Sequence, residues 1–168
     1  MRTIFSMSIT RANARRPAVV AAMAVATTAA VTGVASASAP NPGFFTDHPS
    51  IDAAHGILTS SVRPDFRVGD CILFEDSSTF TMRAPVSGVS DITWTGVAET
   101  THTSNADVWH STFIFKDFAG RTLGQSPRLD GLPMSEVGRI YAWTIPSRVN
   151  INPTIFALIR QITWKGEC

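Results

Sequence analysis

The chain has 168 residues, of which 44% are hydrophobic and 16% are charged, and its formal net charge is +1 at pH 7. About 130 residues follow position 37, which is enough for one domain with its own hydrophobic core. Their basic side chains are scattered singly, which argues against nucleic acid or an anionic membrane as the partner, because both require clustered positive charge.

Residues 1–37 have the pattern of a cleavable signal peptide. They contain four arginines and no acidic residue, and the first carboxylate of the chain is Asp47. A run of small apolar residues follows at 18–34, and the sequence Ala-Ser-Ala at 35–37 has the small side chains that a signal peptidase requires. We therefore expect cleavage after Ala37 and a secreted, extracellular protein.

A retained membrane anchor is the alternative to a cleaved signal. A spanning helix needs about 20 strongly apolar residues, whereas this run is rich in alanine and carries three threonines. We therefore expect no membrane span after cleavage.

The pair Arg15-Arg16 leaves the general secretory and twin-arginine routes both open. Removal of the signal leaves ten basic and 13 acidic residues, a net charge near −3.

The chain contains two cysteines, Cys71 and Cys168. In an exported chain an even number of cysteines indicates a disulfide, and two cysteines allow one connectivity. Closing so long a loop is expected to stabilise the fold by about 4 kcal/mol. A reactive thiol would need a neighbour that lowers its pKa, and neither flanking sequence supplies one.

The exported part divides near residue 70. Residues 38–69 are rich in Pro, Ser and Asp, and they predict an irregular lead-in segment. Residues 70–168 predict the folded domain, because short apolar or alternating runs recur there between turn residues. The predicted strands are 71–74, 79–84, 92–101, 108–116, 121–124, 139–145 and 154–164.

The alternation of apolar and polar residues with a period of two is clearest in the middle of this domain. In 92–99 the even positions hold Ile, Trp, Gly and Ala, and the odd positions are mostly polar. The last run, 154–164, also fits a helical period, but its β-branched and aromatic residues favour a strand. About seven strands without intervening helices predict an all-β, antiparallel β-sandwich of immunoglobulin-like character, with a small β-barrel as the alternative.

Three connections complete this prediction. Residues 104–107 indicate a turn, and residues 117–120 indicate a hairpin in which Gly120 takes the left-handed conformation. Residues 126–138, rich in Pro and Gly, predict a loop, and Pro146 is expected to end the strand that follows.

Part of this layout is similar to a known family. Residues 92–96 form a glycine-containing strand, residues 113–124 form a hydrophobic strand that ends in Asp-x-x-Gly-x-x-Leu-Gly, and residues 132–146 hold a Leu-Pro turn, a glycine and an aromatic strand. With these motifs, residues 90–164 resemble FxLYD-type immunoglobulin-like domains, although Lys116 stands where that family has tyrosine. The resemblance implies an adhesion or interaction module without catalytic residues.

Two histidines are the first candidates for a site. A hairpin centred near Ala106 would place His102 and His110 opposite one another, close enough to share a metal ion. A metal site needs a third ligand on that face, and the strand parity of Glu99 is wrong for it. We therefore expect two solvated histidines that are able to face a ligand, and no metal.

The four tryptophans allow two interpretations. Strand tryptophans with apolar neighbours usually fill a sandwich core, but Trp109 and Trp143 could also face a protein or carbohydrate ligand. No Gly-x-Ser-x-Gly motif and no glycine-rich phosphate loop is present. We therefore expect no catalytic residue and no cofactor.

The sequence predicts a secreted, monomeric and non-catalytic module that binds an extracellular protein or a carbohydrate. A small β-barrel isomerase or cyclase is the first alternative, and it would require His102, His110 or Glu99 to point into the barrel. The second alternative is a secreted inhibitor or antimicrobial protein that acts through a rigid exposed loop such as 127–133.

Overall fold

The structure is a computed structural model that describes residues 42–168. These residues belong to one compact unit. The predicted signal peptide lies outside the described residues. Within 42–168, no helix has the length and hydropathy needed to cross a membrane.

Residues 42–168 form twelve strands and one short helix. The elements are β1 (Gly43–Asp47), β2 (Ser50–Asp52), β3 (Ile57–Ser61), β4 (Phe66–Val68), β5 (Cys71–Leu73), β6 (Thr79–Arg83), β7 (Val89–Thr100), β8 (Asp107–Lys116), β9 (Thr122–Gln125), β10 (Leu129–Met134), β11 (Tyr141–Asn150), α1 (Pro153–Leu158) and β12 (Gln161–Glu167).

The strands make two antiparallel sheets. Sheet A has the order β1-β12-β8-β10, and β9 pairs with the second half of β8. Sheet B has the order β2-β3-β6-β7-β5-β4, and β11 pairs with residues 89–98 of β7. The two sheets pack face to face and no barrel closes among the described strands, so the predicted β-sandwich is confirmed.

Large aromatic side chains fill the space between the sheets. Phe113 of sheet A stacks on Phe80 of sheet B with ring centroids 4.1 Å apart. Trp164 meets the same Phe113 edge-on at 4.7 Å, and Trp94 meets it at 6.2 Å. All four side chains are fully buried, and the alternating patterns of β7 and β8 direct Trp94 and Phe113 inward.

The disulfide between Cys71 and Cys168 is present, and the two Cα atoms lie 6.2 Å apart. Cys71 begins β5 of sheet B, and Cys168 follows β12 of sheet A. The bridge therefore joins the two sheets near one end of the sandwich, and this prediction is confirmed.

The predicted irregular lead-in at 38–69 is wrong, because this segment contains β1 to β4. These strands have three to five residues each, so their alternation is too brief to identify from the sequence. Their pairing partners are remote: Gly43 to Asp47 pair with residues 162–166, and Ile57 to Ser61 pair with residues 79–83. The folded domain therefore begins before residue 70.

The last run was predicted as one strand, which is also wrong. Residues 153–158 form α1, and the strand β12 begins only at Gln161. The cap lies just before the run: the side-chain Oδ1 of Asn152 accepts the backbone N–H of Ile155 at 2.8 Å, and Pro153 occupies the first turn.

Two further boundaries differ from the prediction. The predicted loop at 126–138 contains β10, which pairs with the first half of β8. Pro146 does not end a strand, because β11 continues through it to Asn150. A proline is tolerated there because β11 lies at the edge of sheet B and pairs on one side only, with β7.

Candidate ligand-binding face

The two histidines of the predicted hairpin do not face each other. The strands on either side of the predicted turn belong to different sheets, because β7 lies in sheet B and β8, which contains His110, lies in sheet A. The chain crosses between the sheets after Thr100, and His102 lies in this crossing, where its carbonyl accepts the Thr100 hydroxyl at 3.0 Å. The predicted pairing of His102 with His110 is therefore wrong.

His110 instead stands in a row of polar side chains that crosses sheet A. It pairs with Asp130 of β10 on one side and with Glu167 of β12 on the other. The buried residues of β8 alternate with this position, so the row lies on the outer face of the sheet. Arg128 and Lys165 flank it, and we call these five side chains the polar row.

Hydrogen bonds and ion pairs connect the members of the polar row. The Nδ1 atom of His110 lies 2.6 Å from Oδ1 of Asp130, and Nε of Arg128 donates to the same oxygen at 3.1 Å. The Nζ atom of Lys165 lies 2.6 Å from Oε1 of Glu167, whose other oxygen lies 3.6 Å from Nη1 of Arg128. Arg128 thus bridges the two carboxylates.

Both carboxyl groups of the row are held ionised. The hydrogen bond with His110, assisted by Arg128, lowers the pKa of Asp130. The hydrogen bond from Lys165 lowers the pKa of Glu167, assisted by the charges of Lys165, Arg128 and His110. A general acid at neutral pH needs a raised pKa, so neither group is suited to that role.

The residues directly opposite His110 on the neighbouring strands are both carboxylates, Asp130 and Glu167. Neither cysteine is a free thiol. In residues 42–168, no group of three His, Cys, Asp or Glu side chains has the geometry to hold a metal ion. The arrangement can recognise a ligand by charge and hydrogen bonding.

A shallow depression of about 450 Å³ adjoins the polar row. It extends from the row to the start of β8, where Oδ2 of Asp107 accepts the Thr100 hydroxyl at 2.6 Å. Its lining residues are Ala106, Asp107, Val108, His110, Arg128, Glu167 and Cys168. The candidate binding face therefore combines a charged row with an adjacent concavity.

The two tryptophans proposed as ligand contacts face the core. Trp109 is fully buried and its Nε1 donates to the Ser111 hydroxyl at 3.0 Å. Trp143 is 6% exposed and lies over Gly96 and Gly131, where a side chain would overlap its ring. The core interpretation of the tryptophans is confirmed, and among the four candidate residues only His110 belongs to the polar row.

Sequence reasoning did not identify the other four members of the polar row. Lys165 and Glu167 follow one another at a spacing of two, which is a usable signal for one strand face. Arg128 and Asp130 have the same spacing, but they lie in the segment that was predicted as a loop. Recognising the row required the register of β10, β8 and β12.

These features define the chain as an all-β sandwich that is closed by one disulfide and carries a polar row on an outer face. No family model matches it, and no curated protein matches it. Among solved structures, it is similar to the enzymatically active domain of tailspike protein 4 from bacteriophage CBA120, with 10% identity and a TM-score of 0.21. The match covers 75% of this chain and 17% of that chain, and a TM-score this low supports no conclusion about fold or function.

Proposed function

We propose that the chain is exported, that residues 1–37 are its cleaved signal peptide, and that the folded part is a non-catalytic extracellular binding module. Its ligand is a protein or a carbohydrate, and it contacts the outer face of sheet A at the polar row. The disulfide is compatible with this location, because such bonds form and persist in oxidising compartments.

The observation that carries this proposal is the division of side chains between the two faces of β8. The inward face of β8 packs into an aromatic core, with Trp109, Phe113 and Phe115 fully buried. The barrel-enzyme alternative needs polar groups inside an enclosed cavity, whereas His110 lies on the outer face. An outer face that carries charges of both signs can select a partner whose charges are complementary.

The immunoglobulin-like character of the sandwich is part of the same proposal. The hairpin between β8 and β9 supports it, because Gly120 has a φ of 76° at the position that the motif requires. The loop-based inhibitor has less support, because the segment proposed to act as a loop is paired within sheet A as part of β10.

The proposal is tested with protein purified from the medium after export of the full chain. Its intact mass should correspond to a start at Ser38. The protein is then applied to arrays of glycans and of extracellular proteins, with Arg128→Ala as the test variant and Arg148→Ala as the control. Arg148 also forms an exposed ion pair, with Asp91 at 3.0 Å, but it lies on sheet B.

We expect a ligand whose binding weakens about tenfold in Arg128→Ala and decreases as salt is added, because exposed ion pairs are screened. The control should bind like the wild type. Equal loss in both variants would contradict the proposed face. Turnover in a broad screen of hydrolase and isomerase substrates would contradict the non-catalytic assignment.

A further inference from the structure

A second surface lies where the turn between β8 and β9 meets the end of α1. The backbone N–H of Arg160 donates to the carbonyl of Lys116 at 2.9 Å, which holds these two segments together. A depression of about 350 Å³ lies between them. Its border includes Phe118 and Leu158 together with Arg121 and Arg160, and we call these four side chains the tip surface.

Phe118 protrudes from the tip surface. Its side chain is 86% exposed, more than any other large hydrophobic side chain in residues 42–168. The turn beneath it is well fixed, because the N–H of Asp117 donates to the carbonyl of Arg121 at 3.0 Å and the N–H of Gly120 donates to the carbonyl of Asp117 at 3.0 Å. The ring is therefore held in solvent by an ordered backbone, and Leu158, which is 47% exposed, adds to the apolar area.

The charge that the tip surface presents to solvent is positive. Its one bordering carboxylate, Asp117, is 10% exposed and accepts the backbone N–H of Arg121 at 2.9 Å and Nε of the same residue at 2.7 Å. The hydrogen bond from the backbone of Arg121 is the main cause that lowers the pKa of Asp117, so this group stays ionised and turned inward. The side chain of Arg121 remains 81% exposed, and Arg160 is also exposed, with Nη1 donating to the carbonyls of Ala157 and Ile159.

We propose that the tip surface docks on an anionic phospholipid surface, with Phe118 inserted among the headgroups and the two arginines on the phosphates. Guanidinium groups match phosphate geometry, and aromatic side chains favour the membrane interface. A groove that binds a peptide encloses the apolar side chain of its ligand, whereas here the apolar side chain is the part that protrudes. This geometry favours a deformable partner that can receive Phe118.

The positive charge of the tip surface results from the fold and is not visible as a basic cluster in the sequence. Arg121 and Arg160 are far apart in the chain and carry no basic neighbours, yet the hairpin and the end of α1 place both beside Phe118. Because the exported part has a net charge near −3, long-range attraction to an anionic surface is absent. The contact is therefore expected to be weak, local and sensitive to salt.

The test uses protein purified after export and two kinds of vesicle, one of phosphatidylcholine alone and one that also contains phosphatidylglycerol. We expect co-sedimentation with the second kind only. Phe118→Ser should weaken partitioning about tenfold, and Arg160→Gln should weaken it about fivefold. The matched controls Val86→Ser, at a side chain that is 78% exposed in another turn, and Arg148→Gln should bind like the wild type.

A second measurement locates the contact. The four native tryptophans are buried, so Phe118→Trp introduces an exposed indole whose emission should shift to the blue with the anionic vesicles. Absence of wild-type binding, equal binding of Phe118→Ser and Val86→Ser, or no blue shift would overturn the proposal. Loss of a protein partner in Phe118→Ser, without vesicle binding by the wild type, would likewise overturn the lipid assignment in favour of a protein-docking site.

Discussion

The indole N–H of Trp164 donates a hydrogen bond to the hydroxyl of Ser60 at 2.8 Å, and this contact joins sheet A to sheet B inside the core. Both residues are fully buried. The Ser60 hydroxyl donates in turn to Oδ2 of Asp47 at 2.8 Å, and the same oxygen accepts the backbone N–H of Ser61 at 3.1 Å. Asp47 is the last residue of β1, so these hydrogen bonds connect β1 with β3 of sheet B and, through Ser60, with Trp164 of β12 in sheet A.

Ser60→Ala should lower the free energy of unfolding by about 1–3 kcal/mol, because it leaves the Trp164 N–H buried without a partner. Urea unfolding followed by tryptophan emission measures the change. Thr95→Ala is the control, since the Thr95 hydroxyl makes an exposed bond of 3.2 Å to Thr144, and it should cost less than about 0.5 kcal/mol. An equal loss of unfolding free energy in the two variants would show that the buried hydrogen bond contributes no more to stability than the exposed one.

The disulfide should contribute about 4–5 kcal/mol to stability. It joins residues separated by 97 positions, and closing a loop of that size removes much of the entropy of the unfolded chain. The double variant Cys71→Ser and Cys168→Ser, compared with the wild type in urea, measures this contribution. Non-reducing alkylation of the purified protein should modify no thiol, and modification of two thiols would contradict the bridge.

Gly96→Ala should destabilise the fold by about 1–3 kcal/mol, because a Cβ there overlaps Cε2 and Cζ2 of Trp143. Gly124→Ala is a matched control in another strand, since its Cβ would lie 3.8 Å from Phe115, an ordinary contact. The urea midpoints of both variants test this prediction. A midpoint for Gly96→Ala at or above that of Gly124→Ala would show that Trp143 can move aside without cost.

The polar row should show a specific pH dependence. The pKa of Asp130 lies below its ordinary value of 3.8, so the ionised form is favoured in the folded protein. The resulting stabilisation is present above the ordinary pKa and is lost as the pH falls through the lowered value. His110→Ala should raise the pKa of Asp130, as followed by carboxyl NMR resonances.

Lys165→Ala provides the crossed control for this titration. It should raise the pKa of Glu167 and leave that of Asp130 unchanged, because Lys165 forms its ion pair with Glu167. An Asp130 pKa that is the same in His110→Ala and in the wild type would contradict the assigned hydrogen bond.

The parts of the fold that were predictable are those with local signals. The alternation in β7 and β8 placed Trp94, Trp109 and Phe113 in the core. The motif at 117–120 predicted a turn with Gly120 in the left-handed region. Each of these features depends on residues within a few positions of one another, so the sequence carries it directly.

The parts that were missed depend on partners far along the chain. The strand β1 is stabilised by pairing with β12, and β10 is stabilised by pairing with β8. The helix α1 was missed for a different reason: the β-branched and aromatic residues of 154–164 favoured a strand, and the cap, Asn152, lies before this run. The polar row was also missed because its members lie on strands that are far apart in the chain.

The sequence by itself determined an all-β domain, its inward-facing aromatic residues and the pairing of its two cysteines, because alternation and cysteine count are properties of the chain alone. The tertiary structure decided which polar side chains meet. It separated His102, in the crossing from sheet B, from His110, on β8 of sheet A, and it brought His110 between Asp130 and Glu167. Sheet register decides such contacts, because a shift of one residue along a strand moves every side chain to the other face.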